Sequence, residues 1–110
     1  MEKYLFEVSY EEWLKKMKEL IRFQKQKLAC LIALRDKATD PIHIMYLDRE
    51  IETYERGIYQ NEVLIKIAEE SKDELLFFID EDGIPLCQHI GSERKRKYLH
   101  RMSEVAKMYR

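Results

Sequence analysis

From Tyr10 onward, hydrophobic positions recur every three or four residues. Leu14, Met17, Ile21, Gln24, Leu28 and Leu31 fall on one side of a helix, Gln24 being the polar member of the row. Ser9 stands just before, with Glu12 three residues on. That is the spacing of a capping box, in which the hydroxyl accepts from the Glu12 amide and the Glu12 carboxylate returns to the Ser9 amide. The pattern predicts a helix over 10–38. Thr39-Asp40-Pro41 ends it and begins another, with Asp40 as N-cap and Pro41 at the first helical position, where a missing amide costs nothing.

The second helix, predicted over 41–73, has the most regular pattern in the chain. Ile44, Ile51, Ile58 and Ile65 share one heptad position, and Leu47, Tyr54, Asn61 and Ala68 share the other. Two such helices joined by so short a link must form an antiparallel, coiled-coil-like hairpin. The second would be about 50 Å long at ~1.5 Å per residue, so the hairpin protrudes from a small domain or is paired. Gly57 interrupts the helix at a cost of roughly 1 kcal/mol relative to Ala, and a close helix crossing is the expected reason. Gln24 and Asn61 are polar members of apolar seams, of the kind that set register and partner number. On that reading, Asn61→Leu should raise the melting temperature and broaden the distribution of oligomers.

Elsewhere the period is two. Tyr4, Phe6 and Val8 alternate with Lys3, Leu5 and Glu7, which predicts a strand over 3–8. Leu75 to Ile79, the turn residues Asp80-Glu81-Asp82-Gly83 and Ile84 to Cys87 predict a β-hairpin over 75–87. A competing reading carries the second helix on to Ile79, since Leu75 keeps the heptad. Last, a helix over 93–109 is expected behind a Ser92 cap, with Tyr98, Met102, Val105 and Tyr109 as its apolar stripe. The fold class is thus α+β and helix-dominated: a long antiparallel hairpin, a small antiparallel β element and a basic C-terminal helix, in one domain of 110 residues.

Composition supports a folded chain. Seven Tyr, four Phe and one Trp supply too much apolar area for disorder, while charged residues at 37% cover the surface. The first ten residues have neither the basic start nor the apolar stretch of a secretory leader. The longest apolar run, 28–34, is far short of the ~20 residues of a membrane span. Cys30 and Cys87 lie in no disulfide framework. Reduced thiols, a cytoplasmic location and no membrane partner are the expectation.

Charge is uneven although the net is −1. Residues 9–38 hold eight bases and four acids, residues 40–74 four and ten, and residues 91–110 seven and two. The hairpin helices therefore differ in sign, as partners lying side by side should. Arg94, Lys95, Arg96, Lys97 and Arg101 form the densest basic cluster and are the candidate contacts to nucleic acid.

Other candidate chemistry is thin. Cys87 and His89 would share a strand face, but zinc needs three or four convergent ligands and the usual paired spacings are missing. The acidic turn lacks the further oxygens of a calcium loop. No phosphate loop, nucleophile elbow or His-Glu-x-x-His motif occurs. We expect no catalytic residues, no metal and no cofactor, and hence no enzyme. The most informative feature is apolar surplus beside the hairpin turn, where residues 28–34 have no polar side and face Ile42, Ile44, Met45, Tyr46 and Leu47. A two-helix hairpin buries one stripe per helix, so Leu28, Leu31, Ile32, Leu34, Ile42, Met45 and Tyr46 are the expected interface. The chain reads as a non-enzymatic protein-interaction module, a small regulator, adaptor or inhibitor. It should pair with itself as a homodimer and with another protein; a nucleic-acid-binding regulator is the second reading.

Overall fold

A computed structural model describes residues 4–108. Strand β1 (Leu5–Val8) leads into helices α1 (Tyr10–Lys37) and α2 (Pro41–Glu70). A 3-10 turn over Lys72–Glu74, strands β2 (Leu75–Asp80) and β3 (Pro85–His89), and helix α3 (Ser92–Met108) complete the chain. The expected helical hairpin and small antiparallel sheet are both present. Lys3 and Tyr109, the outer ends of the first strand and last helix as expected, lie outside the described residues.

Both N-caps of the hairpin form locally. The Glu12 amide donates to Ser9 Oγ at 3.2 Å, the forward half of the capping box. The Ile42 amide donates to Asp40 Oδ1 at 3.2 Å, with Pro41 in the first turn. Every position of the α2 heptads, from Ile44 to Ala68, is buried or half-buried. Arg35 and Asp48 (3.0 Å) and Lys25 and Glu62 (3.3 Å) bridge the two helices. Both pairs are exposed, so each contributes about 0–1 kcal/mol; the seam does most of the holding.

Helix α2 ends at Glu70, three residues before the expected Asp73, and residues 75–80 form a strand rather than a continuation of the helix. Geometry explains why. In a helix Leu75 and Phe77 would point about 200° apart, whereas in a strand two residues apart share a face. Both are buried against α1, together with Trp13, Met17 and Ala68. The sheet is antiparallel in the order β1-β2-β3, with Val8 opposite Phe77 and Cys87 opposite it on the other side. The hairpin turn is tied by Asp80, whose Oδ1 accepts from the amides of Asp82 and Ile84, both at 2.9 Å. Gly83 there has φ 80°, which a side chain would strain.

The α3 start departs from expectation. Ser92 is the first helical residue rather than the cap, and Gly91, at φ 84°, precedes it and accepts from the Lys95 amide at 3.1 Å. The positive φ lets the chain leave β3 and enter the helix without a spacer.

The molecule measures 66 × 28 × 23 Å with a radius of gyration of 19.1 Å, against about 13 Å for a compact chain of this length. Its core sits at one end, where the start of α1, the end of α2 and the sheet meet. The rest of the hairpin is a two-helix stalk, buried only along its seam.

At mid-stalk the polar seam residues meet: Asn61 Nδ2 donates to Gln24 Oε1 at 3.0 Å, part-buried. A Cβ on Gly57 would lie 3.1 Å from Gln24 Nε2, so the glycine leaves room for this amide pair. That accounts for Gly57 as a close crossing, and it reverses the expectation for Asn61. Asn61→Leu should lower stability by roughly 1 kcal/mol, because Gln24 loses its partner in a half-buried site. Changing Gln24 and Asn61 together to Leu should restore or exceed the original melting temperature. Equal losses in single and double variants, measured by thermal denaturation, would refute the pairing argument.

Candidate interaction surfaces

Helical periodicity places more apolar residues at the free end of the hairpin than its seam can take. Leu28 and Leu31 are half-buried in that seam, so they serve the chain's own packing. Ile32, Leu34, Ile42, Met45 and Tyr46 are exposed, Ile42 by 73% and Tyr46 by 59%. The structure thus divides the seven expected interface residues into two that hold the hairpin and five that remain open. Phe23, 59% exposed, is a further open apolar residue, at mid-stalk beside Gln24, and was not among the residues expected from the sequence. It lies seven residues before Cys30 and eleven before Leu34, a spacing that puts all three on one side of α1. The clue was a large apolar side chain off the main stripe. Ile32 flanks the seam on the opposite side, so apolar surface wraps the tip rather than marking one patch.

The tip's charges are balanced. Residues 27–50 carry four bases (Lys27, Arg35, Lys37, Arg49) and four acids (Asp36, Asp40, Asp48, Glu50). An apolar centre with a rim of both signs can meet a copy of itself without like-charge repulsion.

At the other end, the basic cluster of α3 is not one surface. Lys95 turns inward, donating to the Lys72 carbonyl and lying 5.7 Å from the Phe77 ring centroid. Lys97 pairs with Glu93 at 3.5 Å. Arg94 and Arg96 are both exposed and, two residues apart, point to different sides of the helix. The Tyr98 hydroxyl donates to the Glu7 carboxylate. That bond and partial burial hold the phenol above its usual range. Beyond Tyr98 every described residue of α3, 99–108, is exposed, including Met102 and Val105 of its apolar stripe.

The remaining titratable candidates are kept apart. Cys87 packs against the core, and burial pushes its thiol up. His89 faces solvent within 3.3 Å of Glu74, and His100 lies 3.9 Å from Glu104. Among the described residues, no His, Cys, Asp and Glu set could hold a metal, and no helix is long and apolar enough to cross a membrane. Compared with protein-family models, curated proteins and solved structures, the chain matches none. What defines it is shape: a helical stalk with an apolar head on a three-stranded base.

Proposed function

We propose that this protein is a non-enzymatic interaction module whose hairpin tip pairs with the tip of a second copy in a four-helix arrangement. The observation that carries the reading is the open apolar tip with its charge-balanced rim. Surface area supports it. The chain exposes 8832 Å², whereas a compact chain of its mass exposes about 6,500 Å². The excess is of the order an obligate homodimer hides per copy, about 1,000–2,500 Å². A dimer built on the tips leaves both bases free for another protein, as a regulator or adaptor requires.

Cysteine labelling tests the pairing directly. Cys30 is exposed on the tip, while Cys87 is half-buried with a raised pKa, and the thiolate is the reactive form. In the dimer, Cys30 should react with iodoacetamide slowly and should speed up on dilution below the dissociation constant. Cys87 should remain slow at every concentration. A Cys30 rate independent of protein concentration would remove the tip interface.

Nucleic-acid binding by α3 is the second reading, supported by the exposure of Arg94, Arg96 and Arg101. Its test is the replacement of Arg94, Lys95, Arg96 and Lys97 together by Gln. Were phosphates the target, log affinity would fall against log salt with a slope of roughly −0.9 per contact. We expect weak duplex binding, insensitive to base sequence. Tight, sequence-specific binding at physiological salt, abolished in the quadruple variant, would put this reading first.

A further inference from the structure

Among the described residues, two features at the base have no partner, and they adjoin. The first is the free edge of β1. The sheet's two edges differ: β3 opens with Pro85, which has no amide to offer, and lies against α1. Strand β1 has no proline, lysine or bulge to discourage pairing. Its apolar side chains stand open to either face, Leu5 on one and Phe6 on the other, after a 74% exposed Tyr4. The second is the overhang of α3. This helix leaves β3 at Gly91, touches Lys72 and Phe77 through Lys95, and reaches Glu7 through Tyr98. It therefore crosses the sheet in the order β3, β2, β1. Past Tyr98 no strand among the described residues lies beneath it, and Met102 and Val105, on the same stripe, are exposed. A groove whose lining includes Glu7, Val8, Glu12, Lys72, Lys95 and Leu99 opens beside the end of β1.

We infer that this edge takes an extended segment of a partner protein as a fourth strand, roofed by α3, and that the segment alternates aliphatic with acidic residues. Only another extended backbone can satisfy a strand's free amides and carbonyls in register, and side-chain pockets then select alternate residues. Charge decides the occupant. Helix α3 holds six bases (Arg94, Lys95, Arg96, Lys97, Arg101, Lys107) and two acids (Glu93, Glu104) over Ser92–Met108, and of these Arg94 and Arg101, seven residues apart, flank the stripe on one side. A second copy pairing β1 with β1 would bring two such helices together over one edge, which repulsion opposes. A strand carrying Asp or Glu between its apolar residues meets both the stripe and its basic flank. This site lies at the opposite end of the molecule from the tip and does not depend on dimerisation there.

The test is selection of short random peptides, displayed on phage, against the full chain, with titration of those enriched. The expected consensus alternates aliphatic and acidic positions, and bound peptide protects the Leu5–Val8 amides from hydrogen exchange. The Met102→Glu/Val105→Glu double variant changes two exposed residues, so its circular dichroism should match the parent while peptide affinity falls about tenfold or more. The tip variant Leu34→Asp should bind as the parent does. Several results would overturn the inference: no enrichment, apolar spacing of three and four, or affinity indifferent to the double variant. So would loss of self-association in the double variant, which would assign the edge to a second copy, or preference of the α3 overhang for a single-stranded oligonucleotide.

Discussion

Under the proposed tip pairing, replacing Leu34 with Asp is expected to yield a monomer of 13.4 kDa in place of a dimer. Leu34 is exposed and lies on the same side of α1 as Phe23 and Cys30, away from the α1–α2 seam, so the change falls mainly on open surface. In a two-fold interface the carboxylate enters twice, and an unpaired charge in an apolar contact costs several kcal/mol. Even about 2.7 kcal/mol in total weakens association roughly a hundredfold. Ile32→Asp should act similarly from the other flank of the seam. Leu31→Asp is less informative, because Leu31 is half-buried between α1 and α2 and its loss would also loosen the hairpin. Sedimentation of the parent and of Leu34→Asp over a range of concentrations decides the matter. A parent that sediments as a monomer at high micromolar concentration sinks the tip dimer.

Trp13→Ala should have the largest effect on stability of any single replacement. Trp13 is fully buried, 5.0 Å from the Phe77 ring centroid and 6.1 Å from that of Tyr10, and it joins α1 to β2. Removing a buried aromatic ring costs about 3–5 kcal/mol, a large part of the roughly 5–15 kcal/mol that holds such a domain. The base should melt first, since the stalk keeps its seam. Trp13→Phe is a sharper probe. Among the described residues Trp13 Nε1 is buried without a hydrogen-bond partner, a burden of about 1–3 kcal/mol that phenylalanine removes. The smaller ring should therefore cost much less than alanine. If denaturant titration finds the two variants equally damaged, neither the retained ring nor the lost indole amide matters there, and the argument fails.

Local chemistry made much of this architecture legible in advance. The caps at Ser9 and Asp40 act within one turn of chain, and the Asp80–Gly83 turn closes on its own carboxylate. The isoleucine heptads of α2 fit one helical period only. Each of these is an interaction between near neighbours, so sequence spacing specifies it. The continuation past Glu70 was different, because Leu75 satisfied both the heptad and a strand. It was settled by the need for Leu75 and Phe77 to reach the same core, which depends on where Trp13 and Met17 stand. The reason for Gly57 was likewise hidden, since its neighbour Gln24 comes from the other helix.

The candidate surfaces divide along the same line. Apolar surplus at the hairpin turn could be counted from residues 28–47, because a helix has only one inward stripe. Which of those residues stay open could not, since Leu28 and Leu31 are claimed by the facing helix while Ile32 and Leu34 are not. The free edge of β1 and the α3 overhang have no signature in the chain at all. Strand order decides which edges are free, and the direction of α3 across the sheet decides which half of its stripe is covered. Tyr98 and Met102 occupy the same stripe four residues apart, yet among the described residues a strand lies beneath Tyr98 and not beneath Met102. Periodicity determines which face of a helix is apolar, but only the packed positions of the other elements determine what that face meets.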